Sequence, residues 1–362
     1  MRQYAPIVDL VRCGAAILVA LFHFCTIWPY GTRSPLNEMN YPFSDSADPF
    51  LYFGFVGVEI FFVISGYVIA VSSIGRDARS FLISRAMRLL PILWLSVLLG
   101  LAILLPFGIE NAGQALRRAA YSMALVPGGP YLDVVVWTLV VEVVFYAAVW
   151  VLLICARQNV GSYLLALAQV LSVLSLINLV AEQAGYSLGN LIPTVLLLRH
   201  GAFFALGIFV WAYGSSRRPS YSFAILALAS CLLEIYGTTN GRNLAAGTSY
   251  TFLLPAAVWM VGVAAIFWGA THLKSSVSRP VRLAGLMTYP IYLTHQTVGG
   301  AMISIAFHRL DLPFAVSLVL GLLAVVLVSA ALVELVEPRL RPGFRRAIEV
   351  VVPGRSKVRV TA

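Results

Sequence analysis

Ten apolar runs, each long enough to cross a bilayer, follow one another along this chain of 362 residues, near 7–28, 50–73, 87–107, 133–155, 160–180, 193–213, 221–239, 250–269, 285–307 and 314–336. Hydrocarbon offers no water to backbone amides, so a run of about 20 apolar residues can cross it only as a helix. The pattern predicts an all-α, polytopic membrane protein with about ten transmembrane helices. A chain that is 60% hydrophobic and 11% charged, with a mean hydropathy of +0.88, is no ordinary soluble domain. Orientation follows from the connections. With the N-terminus in the cytoplasm, 18 Lys and Arg fall on the inner side and 5 on the outer, leaving Arg12 and Arg199 within spans. That asymmetry predicts that both termini are cytoplasmic.

The same balance assigns the formal charge of +10 to loops facing anionic lipid rather than to nucleic acid. Residues 1–338 form the expected membrane domain, and 339–362 a basic cytoplasmic tail too charged to span. The first run is interrupted by Asp9 and Arg12 and lacks a convincing cleavage site, so it reads as a retained helix, not a signal peptide. The outer connection 29–49 is rich in Pro, Gly, Ser and Asp, which predicts turns in water, placed to meet an outer substrate. The four cysteines lie in apolar runs without ligand spacing, so neither a disulfide framework nor a metal site is expected.

Against this apolar background, polar residues inside the spans are expensive and mark candidate sites. Arg12 and His23 lie eleven residues apart in the first span. At about 100° and 1.5 Å per residue they share a face, roughly 16 Å apart in depth. Neutral imidazole accepts a proton near neutral pH and can form an acyl-imidazole, so His23 suits general-base or nucleophilic work. Asp9, one turn before Arg12, permits an ion pair that would make the arginine tolerable.

Further polar insertions follow. The second span carries Glu59 among Gly54, Gly57 and Gly66, glycines that permit close helix approach. Arg85 and Arg88, one turn apart at the start of the third span, suit phosphate binding or interfacial anchoring. Trp137 and Glu142 belong to WTLVVEVVFY, where the buried acid could orient an imidazole or pair with an arginine. Tyr289, Tyr292 and His295 recur every three residues as a polar stripe, and Arg199 with His200 adds another polar pair. No nucleophile elbow, P-loop, dinucleotide fingerprint or HExxH is present.

As an ordered set, these segments resemble the acyltransferase 3 family of bacterial membrane O-acyltransferases, from about Tyr4 to Pro338. The family's Arg-x10-His is matched by Arg12 and His23, and its second-span motif by FVGVEIFFVISGYVI, with Glu59 where aspartate is frequent. The arginine-rich start of the third span corresponds to Arg85 and Arg88 before Pro91. WTLVVEVVFY is similar to the family's Trp-Ser-Leu-x-x-Glu segment with Thr138 for serine. TYPIYLTH matches the late Tyr/His segment, with an unusual Pro290. The fused extracellular esterase-like domain of many relatives is not expected within these residues.

The resemblance implies a cytoplasmic acyl-CoA donor, commonly acetyl-CoA, and a glycan or glycolipid hydroxyl as acceptor outside the bacterial inner membrane, as in lipopolysaccharide or exopolysaccharide acetylation. It implies Arg12, Arg85 and Arg88 as donor-binding residues and His23 as catalytic residue with Glu142 in support. Trp137, Tyr292 and His295 are the expected substrate-binding residues, and no metal is implied. The alternative from another class is a transporter or flippase using the same buried charges as a pathway.

Overall fold

The computed structural model describes residues 6–26, 50–106, 108, 111–156, 159–215, 217–272 and 278–352, so the outer connection 29–49 and the end of the basic tail lie outside the described residues. Among the described residues all regular structure is helical. Helix α1 covers Pro6–Cys25, and a single 3-10 turn, Tyr52–Phe55, leads into α2, Val56–Ser73. There follow α3 (Ala78–Leu104), α4 (Ala112–Met123), α5 (Val136–Cys155), α6 (Val160–Gln183), α7 (Leu191–Val195) and α8 (Gly201–Gly214). The chain continues through α9 (Tyr221–Ala246), α10 (Leu253–His272), α11 (Arg279–Thr294), α12 (Gly300–Ser304), α13 (Phe314–Ala331) and α14 (Glu337–Val351).

Eight of these stretches are long and apolar enough to cross a membrane: α1, α2 with its leading turn, α3, α5, α6, α9, α10 and the run Phe314–Val351. The chain is a multi-pass membrane protein. The other two expected spans take a different form. The 193–213 run divides into the short α7 and the 14-residue α8, because Leu197 and His200 adopt left-handed backbone conformations, φ 53° and 64°, that end a right-handed helix. Nearly every residue of α8 is buried, as expected of a helix apolar on all sides, so its neighbours rather than lipid surround it. The 285–307 run is helical throughout but is interrupted by π-helical turns at His295–Gly299 and Ile305–Arg309, a device common at working sites.

Close crossings of α1, α2 and α8 position the polar residues. A side chain at Gly54 would meet Phe22, and one at Gly57 would meet Val19 and the Ala15 carbonyl. Gly66 faces the backbone of Phe204, and Gly207 faces the Val63 carbonyl and the Tyr67 amide. The close approach expected of the second-span glycines is therefore made, to α1 at one end and to α8 at the other. Because backbone rather than flexible side chain opposes Gly207, Gly207→Val should force α2 and α8 apart and destabilise the protein by about 1–3 kcal/mol or more. A thermal unfolding midpoint unchanged in detergent would contradict that packing.

Local sequence explains the remaining boundaries. Asp77 accepts the Ser80 amide at 2.9 Å and caps α3, and hydrogen bonding from the Ser80 hydroxyl and then from its amide holds the carboxyl below the usual range. Asn111 caps α4 in the same way through the Gln114 amide at 2.9 Å. The start of the basic tail forms α14, which has no buried residue and lies along α3, with Phe344 against Trp94 at 5.3 Å and Arg79 Nε donating to the Val352 carbonyl at 2.8 Å.

Candidate active site

Helix α1 feeds two cavities from one face. Arg12 borders the first, about 70 Å³, together with Ser65, Arg88, Glu142 and Tyr289. His23 borders the second, about 240 Å³, with Glu59, Trp137, His200 and Arg242. Val58 and Tyr292 line both and form the partition between them. The eleven-residue spacing thus places the arginine and the histidine on opposite sides of one aromatic wall.

Tyr292 is fixed by its hydroxyl. Thr138 Oγ1 donates to the Val135 carbonyl at 2.8 Å, so the 3.0 Å contact with Tyr292 has the tyrosine O–H donating to Thr138. The ring edge meets Phe61, centroids 5.7 Å apart. Threonine at position 138 keeps the hydroxyl that the family's serine would supply.

The protons on the two histidines follow from their partners. His295 Nδ1 lies 2.7 Å from the Tyr292 carbonyl and His23 Nδ1 2.8 Å from the Val19 carbonyl. A carbonyl only accepts, so each Nδ1 carries the proton. His295 Nε2, with its lone pair, then accepts a share of the His23 proton at 3.0 Å. This assignment puts the lone pair of His23 on Nε2, the atom with basic and nucleophilic character. The two rings lie 4.8 Å apart, and His295 is fully buried at the start of its π-helical turn.

The rest of the second cavity is unusually polar for a membrane interior. Glu59 is 6% exposed, and its Oε2 lacks a hydrogen-bond partner among the described residues. His200 stands between Phe62 and Trp137, with ring centroids 5.2 and 5.1 Å away. Its Nδ1 is 2.6 Å from Glu234 Oε1, off the axis of a hydrogen bond, while its backbone N–H donates to the same carboxylate at 3.1 and 3.2 Å. The Arg242 guanidinium lies over Phe22 and Phe55, at 4.5 and 5.0 Å from the ring centres.

The first cavity gathers cations around one acid. Glu142 accepts from Ser65 Oγ at 2.7 Å and from the Tyr146 hydroxyl. Arg12 sits 3.9 Å from Asp9, the ion pair its spacing permits. Arg85 flanks the cavity without lining it, its guanidinium over Phe81 and Tyr146 at 5.7 and 5.8 Å. Arg85 is 8% exposed, and its Nε and Nη1 lack hydrogen-bond partners among the described residues.

The structure therefore groups Arg12, Arg88 and Glu142 in one place, and His23, His295, Trp137 and Tyr292 in the other. Glu142 faces the arginines; it does not border the cavity of His23. Sequence reasoning passed over Ser65, Tyr146 and Glu234. Tyr146 follows Glu142 by four residues, a spacing that would have linked them on one helix face. Glu234, an acid in the middle of an apolar run, carried the same signal as Glu59. Among the described residues no three His, Cys, Asp or Glu converge as a metal site.

A helical bundle with a cationic cavity and a histidine cavity back to back is the arrangement of this multi-pass membrane protein. The chain belongs to the acyltransferase 3 family: the family's profile, described as an acyltransferase domain, matches residues 6–334. Membership favours the acyltransferase reading over the transporter alternative, since the family's profile is described as that of an acyltransferase domain. The chain is similar to a Bacillus subtilis (strain 168) protein named "Putative peptidoglycan O-acetyltransferase YrhL", with 24% identity over 384 residues. That match covers 95% of this chain and 56% of the relative, so the chain spans little more than half the relative's length. No solved structure matches it.

Proposed function

We propose that the protein transfers an acyl group, acetyl in the simplest case, from cytoplasmic acyl-CoA to a glycan hydroxyl on the outer face of the bacterial inner membrane. The observation that carries this reading is the partition at Val58 and Tyr292, with Arg12 and Arg88 on one side and His23 on the other. The positive-inside rule assigns the arginine side to the cytoplasm. There Arg12, Arg88 and the under-bonded guanidinium of Arg85 suit the phosphates of CoA, which arginine binds through a rigid fork of donors. Glu142, held by Ser65 and Tyr146, sets a carboxylate in the same cavity as Arg12 and Arg88 to offset their charge.

The thioester end of the donor passes Tyr292 to reach His23. Nε2 of His23 then takes the proton of the acceptor hydroxyl as its oxygen bonds to the acyl carbon. The C–S bond breaks, and the departing CoA thiolate takes up that proton. The same nitrogen is placed to attack the acyl carbon first, giving an acyl-imidazole that the hydroxyl then resolves. His295 positions the ring for either route through the contact at Nδ1.

A glycan acceptor is supported by the printed name of the Bacillus relative, which specifies peptidoglycan. Lipopolysaccharide and exopolysaccharide belong to the same chemical class. Mass spectrometry of surface glycans from cells with and without the gene should show an increment of one acyl mass, removed by mild alkali. Identical acyl content in the two strains would refute the assignment.

A further inference from the structure

The cavity of His23 does not end in the bundle. His200, Thr238 and Arg242 are shared with a groove of about 830 Å³ between the ends of α6 and α9. That volume lies in the range of small-molecule sites, whereas the His23 cavity alone, about 240 Å³, falls below it. The groove is walled by polar side chains already held in place. Arg199 reaches Glu182 Oε1 at 2.8 and 2.9 Å through Nη2 and Nε, Asn178 donates to the same oxygen at 3.1 Å, and Glu234 is held by His200. Gln183 and Asn240 add amides, and Tyr236 adds a half-exposed ring.

Its floor is made by Gly237 and Gly241, one turn apart within α9. A side chain added at either would meet nothing within 4 Å, unlike the glycines where α2 crosses α1 and α8. Glycine weakens a helix interior. Packing does not account for these two, and their effect is to keep the groove deep. At the far end, the buried Glu59 carboxylate borders the His23 cavity with one oxygen lacking a hydrogen-bond partner among the described residues. A polar group arriving through the groove would satisfy it.

We infer that this groove is the acceptor site: a glycan lies over Gly237 and Gly241, its hydroxyls meet the side chains of Glu182, Gln183 and Asn240, and one hydroxyl passes His200 and Arg242 to reach His23. The inference rests on the glycan reading above and adds where the acceptor binds. A fixed array of carboxylates, amides and guanidinium with an aromatic ring matches a polyhydroxylated chain, whose hydroxyls both donate and accept.

Gly241→Trp tests it, because a Cβ at this position meets nothing within 4 Å and the indole beyond it is expected to take up space in the groove. Cells lacking the gene are complemented with the wild-type chain, Gly241→Ala or Gly241→Trp, and ester acyl released by mild alkali from total surface polysaccharide is measured. Binding of acetyl-CoA to the purified full chains and their thermal midpoints are measured alongside. Wild type should restore the ester, and Gly241→Ala, which fills the groove by one methyl group, should restore less than wild type and more than Gly241→Trp. Gly241→Trp should lower it by about tenfold or more with acetyl-CoA binding and thermal midpoint preserved. Gly237→Leu, one turn away, makes the same test if the tryptophan variant fails to accumulate. Restoration to wild-type level by Gly241→Trp or Gly237→Leu would overturn the acceptor site while leaving the proposed function standing. A wild-type chain that restores no ester would remove the function, and the site with it.

Discussion

His23→Ala is expected to slow acyl transfer by about 10²–10⁴-fold, the usual contribution of a positioned acid–base side chain. The substitution removes the imidazole whose Nδ1 contact with the Val19 carbonyl leaves the lone pair on Nε2, while His295 Nε2 is committed to the His23 contact. Donor affinity should be unchanged, because His23 borders neither Arg12 nor Arg88 and lies across Tyr292 from both. A loss of kcat with retained acyl-CoA binding distinguishes this from damage to the bundle. A folded His23→Ala protein with the wild-type rate would remove the residue from the mechanism.

Arg12→Lys should produce the opposite pattern, a KM for acyl-CoA raised by about tenfold or more with kcat largely kept. Lysine retains the charge beside Asp9 but presents a single ammonium where the guanidinium offers a fork to a phosphate. Alanine at the same position is a poorer probe. It would leave Asp9, 8% exposed, without its cation, and breaking a buried pair costs about 3–5 kcal/mol in stability alone. Steady-state kinetics with varied acyl-CoA separate the two effects. An unchanged KM for Arg12→Lys would argue that Arg12 serves Asp9 and not the donor.

Much of this arrangement was legible because it depends on spacing along single helices. The shared face of Arg12 and His23, the Asp9 contact and the glycine faces of α2 all follow from the 3.6-residue period. What was not legible depends on which helix lies beside which. Nothing in the sequence says that α11 places His295 on His23, or that Glu142 faces arginines rather than an imidazole. Arg242 lies just beyond the apolar run that ends near 239, where the sequence reads as one of the outer connections. The helix itself continues to Ala246, and the guanidinium folds back over Phe22 and Phe55. The left-handed turn at His200 splits an apparently continuous span, since hydrophobicity does not report backbone conformation. In the ninth run the π-helical turn at His295 was equally invisible, although its polar stripe marked the place.

The central claim is that one protein carries an acyl group between two sides of a membrane, past the wall at Tyr292. Proteoliposomes of the purified full chain, with isotopically labelled acetyl-CoA outside and the acceptor glycan enclosed, test it most directly. Labelled ester should form on the enclosed glycan with the wild-type protein and be lost with His23→Ala. Ester formation only when donor and acceptor occupy the same compartment would contradict the account.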